Sequence, residues 1–247
     1  MDRLRVIAAW IASLIYWVVG GTAFLFLWVS LPLLFKGDRA KWVAQGAIKV
    51  SFRGFVRLLW FFGIVECEYV GFDKIRAHTG PMIIAPNHPA LWDAVFILAK
   101  VDHAACVLKA SLMHNPILVG GATAAGFIPN EPIHKMMRQC IDLLKENGRL
   151  LFFPEGTRTR KENGCLNPFL GGLAIVAKNS QAPVYPIYVQ TDSSYLSKGW
   201  SLWRLPPKKI HIRMTVGEPV IYEDSDDTHV FLQNLRQRYL TVLETAA

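Results

Sequence analysis

Met82-Ile83-Ile84-Ala85-Pro86-Asn87-His88-Pro89-Ala90-Leu91-Trp92-Asp93 decides how this chain is read. The apolar run Met82-Ile83-Ile84-Ala85, closed by a proline, reads as a buried strand of a parallel sheet. A polar turn follows, and Asp93 opens a short apolar helical stretch over 93–99. Strand, polar turn and helix make the repeating unit of an α/β sheet, whose sites lie outside the carboxyl ends of the strands. His88 stands at such an end. An aspartate five residues on, near a helix start, places its carboxylate against the imidazole Nδ1–H, which fixes the tautomer and leaves Nε2 as a general base. That spacing does not align on one helix face, so the contact needs the loop made by Pro89 and its neighbours. A surface histidine beside an N-capping aspartate has the same spacing.

The alternation continues on both sides of this unit. Short apolar runs at 64–70, 104–108, 126–129, 150–153, 184–189 and 210–216 read as further strands. Helices are expected at 133–147 and 171–179, with Asn147-Gly148 as a stop for the first. A last amphipathic helix, from about 228 to 245, carries Phe231, Leu235, Tyr239 and Val242 on one side. The expected fold is α/β, a mostly parallel mixed sheet flanked by helices, over residues 63–247.

A second stretch, Phe153-Pro154-Glu155-Gly156-Thr157-Arg158-Thr159, follows another of these strands. Its polar residues crowd a Pro-Gly turn, where binding loops of α/β sheets are found. Arg158 facing a cleft is a natural two-pronged partner for phosphate, and Glu155 can orient it or a substrate hydroxyl. An ordinary exposed turn is the other reading.

The two stretches together resemble the bacterial 1-acylglycerol-3-phosphate acyltransferases of the glycerolipid acyltransferase family. Asn87-His88 with Asp93 matches that family's His-x4-Asp motif, and Pro154-Glu155-Gly156-Thr157-Arg158 its Pro-Glu-Gly-Thr-Arg motif. Ala182-Pro183-Val184-Tyr185-Pro186 looks like its fourth, proline-containing motif, and the resemblance covers about residues 64–220.

The resemblance implies transfer of a fatty acyl group from acyl-CoA or acyl carrier protein to the hydroxyl of a lysophospholipid, first of all 1-acylglycerol-3-phosphate, giving phosphatidic acid. His88 would be the base and Asp93 its orienting partner, with no acyl-enzyme, no cofactor and no metal. Lys109, Glu155, Gly156, Thr157 and Arg158 would bind substrate, and loop amides around Glu155-Gly156-Thr157 are candidate oxyanion donors. Cys106 is kept as a minor nucleophile candidate.

One block departs from the pattern. The family's second motif usually reads Gly-x-Ile-x-x-Arg, whereas this chain has Gly126-Phe127-Ile128-Pro129-Asn130-Glu131, with Asn130 where an Arg often stands. Another lysolipid or an amino-acid lipid as acceptor, a thioesterase, and a non-catalytic lipid-binding protein on this fold therefore stay open.

The amino terminus carries a different signal. No charged residue occurs over 6–35, and at 1.5 Å per residue such a helix is about 45 Å long, beyond the ~30 Å hydrocarbon thickness. Arg3 and Arg5 precede it while Lys36, Arg39 and Lys41 follow, so the positive-inside rule selects no orientation. A single membrane helix and a one-leaflet hairpin, turning at Gly20-Gly21-Thr22, both fit. From about 41 to 62, Lys49, Arg53 and Arg57 alternate with Ile48, Phe52, Phe55 and Leu59 in an amphipathic pattern, which suits a lipid interface or a cover for the core. Residues 1–62 are thus expected to be membrane-associated helices. The segment 198–209, mixing Trp200 and Trp203 with cations, reads as an interfacial loop or a tightly packed one.

Composition agrees. Of 247 residues, 52% are hydrophobic and 19% charged, which excludes intrinsic disorder and asks for an apolar surrounding. A net charge of +8 suits anionic lipid, and no nucleic-acid motif accompanies it. Cys67, Cys106, Cys140 and Cys165 stand too far apart for zinc or redox motifs and are expected reduced. With the resemblance, this places the catalytic domain on the cytoplasmic face of a bacterial inner membrane, with membrane lipids as partners; oligomeric state is left open.

Overall fold

The computed structural model describes residues 3–35, 37–201, 204–206, 208–223 and 227–245. Lys36 of the basic flank, and Leu202, Trp203 and Pro207 of the Trp-rich segment, lie outside the described residues. The strands are β1 (Val65–Val70), β2 (Met82–Pro86), β3 (Ala104–Leu108), β4 (Ile128–Pro129), β5 (Arg149–Leu151), β6 (Val184–Thr191) and β7 (Ile210–Val216). They form one sheet in the order β1-β7-β6-β2-β5-β3-β4. Every neighbouring pair is parallel except β6 with β7, so the expected mostly parallel mixed sheet is present.

β2 lies near the middle and is buried at every position. Met82 and Ile84 point into one apolar layer, Ile83 and Ala85 into the other, which is why its sequence is continuously apolar. One layer is closed by α6 (Ile133–Lys145), α7 (Gly172–Ser180) and α8 (Thr228–Glu244). In α6, Met136, Cys140 and Leu144 recur every four residues as the inward face, and Asn147 at φ +63 ends the helix. The other layer lies under α1 (Arg3–Leu34), α2 (Asp38–Phe61), α3 (Phe72–Ala77) and α4 (Asp93–Leu98). The one-turn helices α3 and α5 (Val119–Ala124) have no counterpart in the sequence reading, being too short to show a period.

The amino terminus settles one alternative. α1 runs unbroken through Gly20-Gly21, and the chain reverses instead at Gly37, φ +57, between α1 and α2. The glycines serve packing: a Cβ on Gly21 would lie 2.5 Å from Ile117 Cγ2, and one on Gly120 of α5 would lie 2.9 Å from Leu25 Cα. Small residues let α1 and the Ile117–α5 segment approach backbone to backbone. Along its length α1 buries Val6, Ala9, Ser13 and Leu31, while Leu4, Ile15, Val19, Phe26, Val29 and Leu33 face outward. α2 buries Ala44, Ile48, Phe55 and Leu59, and turns Arg53, Arg57 and Trp60 away from the core.

Candidate active site

Loops leaving the carboxyl ends of β2, β5, β3 and β6 meet at one edge of the sheet. The β2 loop brings His88 Nδ1 to 2.9 Å from Asp93 Oδ2. The same oxygen accepts the Ala90 amide at 2.8 Å, so the bend expected at Pro89 closes the loop on itself. Asp93 is buried, and its Oδ1 has no hydrogen-bond partner among the described residues. Burial pushes its carboxyl above the usual range, opposed by the bond to His88 and the Ala90 amide. A carboxylate so poorly solvated is an effective acceptor for the imidazole and stabilises an imidazolium. His88 is held with no hydrogen bond to Nε2 among the described residues, its side chain 16% exposed and its ring 4.1 Å from that of Phe153.

The loop after β5 locks this one in place. Glu155 Oε1 accepts the His88 amide at 2.7 Å, and Thr159 N donates to the His88 carbonyl at 2.8 Å. The Glu155 carboxylate also takes the Thr159 hydroxyl and the Asn167 amide. Burial raises the Glu155 carboxyl, and these donors, led by the Asn167 and His88 amides, pull it back. Glu155 therefore turns inward and positions His88, rather than reaching a substrate hydroxyl as the sequence reading allowed. Gly156 takes φ +64 over Leu170, and its amide donates to the Phe153 carbonyl at 3.0 Å, which removes it from the expected oxyanion donors.

Arg158 spans to the loop after β6, where Nη1 donates to the carbonyls of Leu196 and Ser197 at 2.9 and 3.0 Å. Lys109 is exposed at the end of β3. Asn130 is committed: Oδ1 accepts the Ala110 amide and its own amide donates to the Leu108 carbonyl, both at 2.8 Å, which braces the turn carrying Lys109. Cys106 is buried and its thiol is pushed up to about 12, which leaves almost no thiolate for nucleophilic attack.

An apolar cavity of about 510 Å³ opens beside this edge. Leu91 and Trp92, between the histidine and the aspartate, form part of its wall, and Trp17, Phe24 and Tyr16 of α1 form another part. A continuous chain of aromatic rings links its walls to α2 and the segment after β6: Trp200 to Tyr195 (5.6 Å), Tyr195 to Trp92 (5.7 Å), Trp92 to Phe55 (5.2 Å) and Phe55 to Trp17 (5.1 Å). The residue preceding Asp93 thus rests on α2.

A family model described as Acyltransferase matches residues 67–190, half of the chain and both loops that hold His88. The chain belongs to the acyltransferase family. Within it, the 1-acyl-sn-glycerol-3-phosphate acyltransferase of Pseudomonas aeruginosa is 24% identical over 200 residues, 76% of this chain and 74% of that protein. A chloroplastic 1-acyl-sn-glycerol-3-phosphate acyltransferase of Brassica napus is 23% identical over 158 residues, 60% of this chain but only 45% of its own length. This chain therefore spans about half the length of the chloroplastic relatives it matches. The crystal structure of the 1-acyl-sn-glycerophosphate (LPA) acyltransferase PlsC from Thermotoga maritima superposes with a TM-score of 0.72 at 19% identity, covering 99% of this chain and 98% of that one, which shows a common fold.

In this acyltransferase-family chain, the sequence reading missed the residues that brace the site. Asn87 bonds both ways with the backbone of Val189, at 2.9 and 2.7 Å, tying the β2 loop to β6. Asn167 and Thr159 complete the cradle around Glu155. Asn87 and Thr159 stand within the quoted stretches without a role assigned, but Asn167 carries no local signal, since its role depends on a loop closing back over twelve residues.

Proposed function

We propose that this protein is an O-acyltransferase that moves a fatty acyl group from a soluble thioester, acyl-CoA or acyl carrier protein, to the hydroxyl of 1-acylglycerol-3-phosphate. The observation that carries this reading is the His88–Asp93 pair set beside an apolar cavity of about 510 Å³, inside the ~300–1,000 Å³ range of ligand pockets. The names of the relatives direct the choice of acceptor.

In the reaction so read, His88 Nε2 takes the proton of the acceptor hydroxyl as its oxygen attacks the thioester carbonyl. Asp93 holds the ring through Nδ1 and stabilises the imidazolium. The carbon–sulfur bond breaks as the tetrahedral intermediate collapses, and the proton on Nε2 passes to the leaving thiolate. The cavity houses an acyl chain, and Arg158 with Lys109 stands by for the acceptor phosphate.

α1 is long and apolar enough to cross a bilayer, but Val6, Ala9, Ser13 and Leu31 on one side of it pack on the domain, and we read it as a helix seated on the surface rather than a span. It lies instead along the membrane, sinking its outward stripe into one leaflet and setting Arg53 and Arg57 of α2 at headgroup level. The site edge then faces the lipid acceptor, on the cytoplasmic side where the thioester donors are soluble.

The test is thiol release from palmitoyl-CoA by protein in detergent, with lysophosphatidic acid, with other lysolipids and with no acceptor. Release that requires lysophosphatidic acid is expected. Release confined to other acceptors would overturn the choice of acceptor. Equal release without acceptor would make the protein a thioesterase.

A further inference from the structure

The segment between β6 and β7 contains a cation that neither motif includes. Ser197 to Trp200 form a tight turn, closed by the Trp200 amide on the Ser197 carbonyl at 3.0 Å, with Gly199 at φ +87 and Lys198 at the tip. The turn is braced from several sides. Arg158 holds the carbonyls of Leu196 and Ser197, and the Leu91 amide donates to Leu196 at 3.1 Å. The Trp200 indole donates to the Arg204 carbonyl at 2.9 Å and packs edge-on against Tyr195. An exposed ammonium is thus carried on a braced turn.

That ammonium points back to the site. Lys198 Nζ lies 3.3 Å from the Thr157 hydroxyl, in the loop whose Glu155 holds His88. Lys198 has no acidic partner among the described residues, as Lys109 has none, whereas Lys208 and Lys209 farther along the same segment pair with Asp192 and Glu66. An exposed cation on the Glu155 loop that holds His88, with no acidic partner among the described residues, is suited to an anion from the substrate. On the opposite side of the site the block over 126–131 has no arginine, and the exposed Lys109 at the end of β3 is the cation at hand.

We infer that Lys198 is a head-group-binding residue that contacts the acceptor phosphate, entering from the β6 side of His88 where Lys109 enters from the β3 side. This rests on the proposed acyl transfer to a phosphate-bearing lysolipid. Arg158 acts as the anchor that presents Lys198 as well as a cation in its own right.

The test compares wild type, Lys198→Ala and Lys198→Arg in detergent. The readouts are KM for lysophosphatidic acid, Ki for glycerol 3-phosphate as competitive inhibitor, KM for palmitoyl-CoA, and kcat. For Lys198→Ala, the KM for lysophosphatidic acid and the Ki for glycerol 3-phosphate are both expected to rise about tenfold, with kcat and the palmitoyl-CoA KM unchanged. Lys198→Arg is expected to restore both to within about threefold, since it returns the charge. A rise in the palmitoyl-CoA KM alone would assign Lys198 to the donor phosphates and overturn the inference. Unchanged constants, or a fall in kcat alone, would overturn it too while leaving acyl transfer standing. A wild type inert towards lysophosphatidic acid would overturn both.

Discussion

Glu155 accepts the backbone amide of His88 at 2.7 Å, although 67 residues separate them in sequence. The remaining capacity of its carboxylate is filled by Thr159 and Asn167, from its own loop. The histidine is therefore oriented twice, at the ring by Asp93 and at the backbone by Glu155. Two loops that leave neighbouring strands are thereby tied together at His88.

Removing the Glu155 carboxylate should loosen that tie. Glu155→Ala leaves the amides of His88 and Asn167 buried without an acceptor and is expected to cost about 3 kcal/mol of stability, together with most of kcat. Glu155→Gln retains one acceptor oxygen and should lose less of both. Urea denaturation and turnover of the same samples check this, and an alanine variant as stable as wild type would remove the bracing role.

The dyad itself divides catalysis from folding. His88→Ala should abolish turnover, and Asp93→Asn should lower kcat by two to four orders of magnitude while the KM for donor moves little. Circular dichroism of both variants should match wild type. Substantial residual rate in His88→Ala would exclude it as the base.

Asp93 also predicts a pH signature in stability. Its folded carboxyl lies above the ordinary value of 3.8, chiefly through burial, so from about pH 4 upward the folded state binds more protons there than the unfolded one. That excess makes the wild type lose stability from this group as pH rises. Asp93→Asn removes the titration, so its stability relative to wild type should increase between pH 4.5 and 7.5. Denaturation curves at those two values decide it, and a relative decrease would reverse the assigned direction.

Gly156 supplies a local test. At φ +64 any side chain is strained, and a Cβ would meet Leu170 Cδ1 at 2.4 Å. Gly156→Ala is expected to cost about 1–3 kcal/mol, and pairing it with Leu170→Ala should return the part due to collision while leaving the backbone part. Thermal melting of the single and double variants separates the two.

Membrane seating can be tested on opposite faces of α1. Val19→Glu and Phe26→Glu charge the outward stripe and should reduce flotation with liposomes at unchanged melting temperature. Gly21→Leu, which collides with Ile117, should lower the melting temperature first. Equal flotation of the glutamate variants would move the membrane contact elsewhere.

Strands were legible because α/β cores write them as short apolar runs; β3 and β7 begin and end where the pattern does. The His88–Asp93 contact was legible as well, because both partners sit within one loop. What stayed hidden depends on tertiary closure. The glycine pair of α1 reads equally as a turn or as a close approach, and only the Ile117 segment lying against it decides. Glu155 gave its chemistry but not its direction, since an acidic residue after a strand faces inward only when other loops deliver donors to it. Lys198 carried no pattern at all, being one cation among several in a Trp-rich segment.

On the proposed seating, α1 has two duties: its outward stripe meets lipid and, through Tyr16, Trp17 and Phe24, it walls the cavity. Cutting it away to make the protein easier to handle would remove one side of the chamber along with the float. Tolerance to substitution should accordingly be lopsided around the helix. Positions such as Val19 and Phe26 can exchange freely among greasy side chains, while Gly21 and Trp17 answer to the shape of what they enclose.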